Sequence, residues 1–61
     1  MQKTLKELRK EHKYTVVYLA KRLGVSRPQY YKMEQGKAAI YPDDKFTLAR
    51  IYGLLVADIK F

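Results

Sequence analysis

The sequence predicts an all-α fold, a compact arrangement of four to five short helices. Three observations carry that expectation. The stretch Thr15 to Gly36 holds two short helical patterns separated by a single tight turn. Capping signals with helical spacing open the other segments, at Thr4 and at Pro42. The 61 residues contain no cysteine, so neither a disulfide framework nor a thiolate metal site can hold the chain, and a helix-rich apolar core must do so.

Thr4 and Glu7 have capping-box spacing, which places a first helix from about Leu5 to His12 with Leu5 and Leu8 inward. Tyr14 then packs ahead of Thr15, the cap of a second helix. Val16, Leu19, Ala20 and Leu23 fall at i, i+3, i+4 and i+7 of that helix and form its buried stripe. Gly24 can take the left-handed conformation that closes a helix, and Val25 turns the chain inward.

The third helix starts almost at once. Ser26 and Gln29 have S-x-x-Q capping-box spacing, and Val25 with Tyr30 fits a hydrophobic staple. Tyr30 and Met33 face inward, and Gly36 ends the segment. Two helices joined by about three residues pack at a steep angle, which is helix-turn-helix geometry. After the loop Lys37 to Tyr41, Pro42, Asp43 and Asp44 start a fourth helix, with acids at the positive end of its dipole. Phe46, Ala49 and Tyr52 are expected to form its inward face, and Gly53 its end. A last turn or helix from about Val56 carries Ile59 and Phe61. Residues 1–61 thus read as one domain, with no repeat or linker.

The run LAKRLGVSRPQYYKMEQGK resembles the lambda-repressor-like helix-turn-helix family of Cro and phage-repressor DNA-binding domains, whose pattern is L-A-x-x-L-G-V-S-x-x-x-[IV]-S-x-[IL]-E-x-G-K. Upstream, LKELRKEHKYT is similar to the family's first helix, and downstream LARIYGLLVADIKF is similar to its closing segment. The resemblance implies a sequence-specific binder of double-stranded DNA, a small repressor of phage or plasmid type. It also implies an ion pair between Arg9 and Glu34, tying the first helix to the end of the third.

Charge agrees with a polyanionic partner: 13 Lys and Arg against 6 Asp and Glu give a net charge of +7. Such a balance favours encounter with nucleic acid but does not say which polyanion is bound. A single histidine and no glycine-rich phosphate loop argue against an enzyme, and no metal, cofactor or small-molecule ligand is expected. The apolar run Leu54 to Ala57 is far too short to span a bilayer, and no signal-peptide core is visible, so the expected location is the cytoplasm, on the nucleoid.

With Tyr30 and Met33 inward, the outer face of the third helix shows Arg27, Pro28, Gln29, Tyr31 and Lys32, the candidate base-contacting residues. An arginine can donate two parallel hydrogen bonds to guanine, a pairing worth roughly 1–3 kcal/mol of discrimination. Arg27 can equally be a phosphate-binding or solvated cation, and Lys32 has the same two options. Gln29 can read adenine or spend its amide in the capping box. Pro28, where the family commonly has a polar residue, disfavours helical backbone at Arg27 and can delay the helix start. Its ring can lie against a thymine methyl, as can Tyr31.

The candidate phosphate contacts are Thr15, Val16, Ser26, Lys37 and Tyr41. The family usually has Gln just after the second helix's cap, where this chain has Val16, so that contact falls to the Thr15 hydroxyl and the free N–H groups of the helix start. Lys37 and Tyr41 lie in the loop where the family commonly grips the sugar-phosphate backbone, with help from loop amides. Leu54, Leu55, Val56, Ile59 and Phe61 exceed what one short helix face buries, and are the candidate interface of a homodimer on a pseudo-palindromic operator. An ordinary last core layer is the alternative for these five. Two further function classes stay open: a protein-interaction module such as an antitoxin or anti-regulator, using Val17 and Tyr18, and an architectural or recombination accessory protein that bends DNA.

Overall fold

A computed structural model describes residues 2–61 of the chain. Four α-helices make up most of it: α1 (Leu5–Glu11), α2 (Val16–Leu23), α3 (Arg27–Glu34) and α4 (Pro42–Tyr52). Two features depart from a purely helical layout. A 3-10 turn spans Val56–Asp58, and the strands β1 (Lys3–Thr4) and β2 (Ile59–Lys60) pair in parallel, Lys3 opposite Ile59. Two-residue strands carry no alternation for a sequence pattern to reveal. Gln2 reinforces this clasp by donating its amide to the Ala57 carbonyl at 2.8 Å.

The capping chemistry holds at three helix starts. Thr4 and Glu7 form a reciprocal capping box, and Thr4 holds the Glu7 carboxyl below its usual pKa by hydrogen bonding it. Thr15 accepts from the Tyr18 N–H at 3.1 Å and Ser26 from the Gln29 N–H at 3.3 Å. At Ser26 only that half of the predicted box forms. The Gln29 side chain does not reach back, so its amide is free and exposed.

All four helices end alike: the N–H just after a left-handed residue turns back five residues onto the final turn. The pairs are Tyr14 N–H to Arg9 O, Val25 to Ala20, Lys37 to Lys32 and Leu54 to Ala49. This closure needs a left-handed residue. Glycine supplies it at three ends, while Lys13 does so after α1 with φ 58°. No glycine marks that turn, and α1 closes there nonetheless.

The core gathers Leu5 and Leu8 of α1, Val16, Leu19 and Ala20 of α2, Tyr30 of α3, Leu48, Ala49 and Tyr52 of α4, and Ile59 of β2. Leu19, Tyr30 and Leu48 are fully enclosed. Two expectations fail here. Phe46 is 62% exposed and Leu48 takes the inward place. Phe46, Ala49 and Tyr52 share i+3 spacing, but Leu48 and Tyr52 at i+4 lie closer to the line facing the core, which turns Phe46 outward. Ile59, expected at a dimer interface, is 2% exposed because strand pairing turns it into the core.

Candidate nucleic-acid interface

Helix α3 is held along its inner face from its fourth residue onward. Tyr30 is fully enclosed, Met33 is buried, and the Glu34 carboxylate receives two hydrogen bonds from Arg9, Nε to Oε2 and Nη2 to Oε1, both at 3.0 Å. The side chains of this pair are 16% and 4% exposed. A bidentate, mostly buried arginine–carboxylate pair fixes both distance and angle between α1 and α3. The bonded carboxylate in turn pushes the Arg9 pKa up.

The hydroxyls of Tyr30 and Tyr52 are buried close to this pair, neither with a hydrogen-bond partner in good geometry. Burial first, then the Glu34 charge, raises both pKa values, that of Tyr52 to about 12. Both rings therefore stay neutral and pack as core residues with polar tips.

Anchored there, α3 leaves its first turn and its outer face in solvent. Arg27, Pro28, Gln29, Tyr31 and Lys32 are all exposed, Tyr31 at 48%. The predicted base-contacting set is thus brought together on one open surface. Pro28 does not delay the helix: Arg27 is its first residue and Ser26 its cap. Proline lacks an N–H and Ser26 holds that of Gln29, so of the first three residues only Arg27 keeps a backbone N–H without a helical or capping partner. None of the exposed side chains on this face makes an ion pair among the described residues. Their hydrogen-bonding groups are available to a ligand.

The predicted phosphate set is less uniform. The hydroxyls of Thr15 and Ser26 accept from their own helices and retain an O–H to donate outward. Val16 is 7% exposed, its side chain part of the core, so only its N–H can meet an anion. Val17 supplies a second such N–H beside it, since Thr15 takes only that of Tyr18. Lys37 and Tyr41 are exposed, Tyr41 at 70% as the cap residue of α4 without a side-chain cap bond. The loop amides expected to help are partly spent, because Lys37 and Ala38 both donate to the Lys32 carbonyl, at 2.8 and 3.2 Å.

Two residues that the sequence reading gave no part, Arg22 and His12, join this framework. Arg22 donates to the Tyr18 hydroxyl at 2.6 Å and sits over its ring, 5.7 Å from the centroid. An i, i+4 spacing on α2 was the available signal. Tyr18 continues into an aromatic row through Tyr14 to Tyr52, with His12 packed on both Tyr14 and Tyr52. The His12 Nδ1 lies 3.0 Å from the Leu8 carbonyl and donates to it, closing the end of α1.

Of the predicted dimer residues, Leu54, Leu55 and Phe61 are exposed, at 36%, 72% and 38%. Val56 is partly buried against the core and Ile59 fully so. Among the described residues no helix is long and apolar enough to cross a membrane.

Two caps, a three-residue turn and a second helix that is anchored at its end and bare at its start define a helix-turn-helix protein. A profile of the helix-turn-helix family matches residues 5–58, and the chain belongs to that family, in its lambda-repressor and Cro-like form. The family makes this chain a DNA-binding regulator, of a kind not typically enzymatic. No curated protein and no solved structure matches the chain.

Proposed function

We propose that the protein is a sequence-specific transcriptional repressor of phage or plasmid type that excludes polymerase from a promoter by occupying an operator. The single observation that supports this reading is the bare first turn and outer face of α3, aimed outward by anchors that begin only at Tyr30. A B-DNA major groove admits an α-helix, and helix-turn-helix proteins read base edges from the start of the second helix. Arg27 is the leading base reader, with Gln29, Lys32, Tyr31 and the Pro28 ring beside it. Gln29 gains weight as an adenine reader because its amide is not consumed in a capping box.

Thr15, Ser26, the N–H groups of Val16 and Val17, Lys37 and Tyr41 hold the backbone on either side. The domain acts in the cytoplasm, as a homodimer at least on DNA, and its operator is pseudo-palindromic. Half-sites then lie about one helical turn, 34 Å, apart. Leu54, Leu55 and Phe61 contribute to the contact between copies.

Selection from a random duplex library at about 150 mM salt, where charge-only binding is strongly weakened, tests the reading. An enriched inverted repeat supports it and gives the half-site spacing. No enrichment from folded protein overturns it and turns attention to Val17 and Tyr18 as a protein-binding surface. On the selected site, Arg27→Ala relaxes preference at one base pair by roughly 1–3 kcal/mol. Lys37→Ala weakens all sequences alike and makes the salt slope shallower by about one.

A further inference from the structure

Helix α4 carries an outer stripe that neither the core nor the DNA-reading surface uses. Asp43, Phe46 and Arg50 recur at i, i+3 and i+7, which places them on one face over two turns. All three are exposed, Phe46 at 62%. Among the described residues the ion pairs are Lys3 with Glu11 and Arg9 with Glu34, so neither Asp43 nor Arg50 has an ion-pair partner there. Beside the stripe, Phe46, Ala49, Arg50, Leu54, Leu55 and Val56 line an open apolar groove of about 340 Å³. Leu55 at its rim is 72% exposed.

The order along the stripe is acid, aromatic, base, with the aromatic near the midpoint. That order is self-complementary under a two-fold rotation. Two antiparallel copies of α4 crossing near Phe46 bring Asp43 of each against Arg50 of the other. The same rotation places the two Phe46 rings together at the centre, where each meets the other copy's groove. Two-fold contacts between identical chains use one patch twice in this way. A heterologous partner would need its own matching base–aromatic–acid order, whereas a second copy supplies it automatically.

We infer that the Asp43–Phe46–Arg50 face of α4 is a two-fold self-association surface whose register is set by two symmetric Asp43–Arg50 ion pairs about a Phe46 centre. The inference rests on the dimeric reading above and sharpens it. It moves the centre of the contact from the C-terminal residues to α4, with Leu54 and Leu55 extending its edge. Ile59, withdrawn into the core, takes no part.

Sedimentation equilibrium of the free protein, without DNA, tests the surface apart from operator binding. Phe46→Ser is expected to raise the dimer Kd at least tenfold while circular dichroism shows an unchanged fold, since the ring is outside the core. Asp43→Arg and Arg50→Asp each set like charges face to face twice and are expected to weaken association by about tenfold. The double reversal restores the order and returns the Kd to within about threefold of the parent. That rescue cannot come from a merely structural role of either residue. A parent protein that stays monomeric at 100 µM, a Kd indifferent to Phe46→Ser, or additive losses in the double reversal overturns the inference. Half-site affinity of monomeric Phe46→Ser, which leaves the charge unchanged, is unaffected in either event and keeps the DNA-binding reading separately testable.

Discussion

Helices α2 and α3 have the same length, the same kind of hydroxyl cap and neighbouring places in the chain, yet they are held in different ways. Helix α2 is embedded along its length: Val16 in its first turn, then Leu19 and Ala20, are buried, and Leu23 is partly so. Helix α3 is embedded only beyond its first turn, through Tyr30, Met33 and Glu34. On the proposed reading α3 enters a groove, and such a helix cannot spend its leading residues on the core. The stability it forgoes at Arg27 to Gln29 is concentrated in one enclosed ring, one thioether and one buried ion pair.

The contrast can be broken most severely at Tyr30. Tyr30→Ala removes a fully enclosed aromatic, and a loss of about 3–5 kcal/mol is expected, large against the stability of so small a domain. Chemical denaturation checks it. A loss below 1 kcal/mol would mean that α3 does not hang from this ring. Glu34→Gln removes the charge but keeps the shape, leaving Arg9 buried without its counter-ion. About 3 kcal/mol is expected in the same measurement, with α1 and α3 loosened relative to each other.

Alkaline titration probes the same anchor without mutation. The ordinary tyrosine pKa is near 10. Tyr52 is raised to about 12 and Tyr30 is raised as well. Their contribution is fully present below the unfolded value and is lost as pH rises toward the folded one, because the unfolded chain releases these protons first. Stability is therefore expected to be flat up to about pH 10 as far as these rings decide it, and to fall above that. Tyr52→Phe should make the fall shallower without moving its onset, because Tyr30 still titrates first in the unfolded chain.

The smallest effect distinguishes the two helix starts. Thr15→Ala and Ser26→Ala each remove one cap and should cost about 1 kcal/mol. Amide hydrogen exchange should show different reach. Losing Thr15 frays a start pinned by buried Val16, so protection falls only locally. Losing Ser26 frees the Gln29 N–H, the one amide of Arg27 to Gln29 with a partner, and with no buried side chain in that turn the loss of protection should extend to Tyr30.

Much of this architecture is legible in the chain because it rests on local chemistry. Thr4, Thr15 and Ser26 cap the helices they precede, and Gly24, Gly36 and Gly53 close the helices they follow, through bonds spanning only a few residues. The outer residues of α3 follow from the same local rules, since fixing Tyr30 and Met33 inward leaves Arg27, Tyr31 and Lys32 nowhere else to face.

What the chain did not reveal depends on distant partners. Whether Phe46 or Leu48 turns inward is decided by where α4 lies against the other helices, because both positions satisfy a helical spacing with Tyr52. Ile59 reads as a surplus apolar residue until β2 finds β1 some 55 residues earlier. Gln29 reads as half of a capping box until its amide is seen left in solvent. Periodicity, caps and charge determined the helices, the turn between α2 and α3 and the polyanion-binding character, since each is a property of neighbouring residues. Only tertiary packing decided which apolar side chains remained outside, because burial is shared among all elements and no segment can claim its place alone.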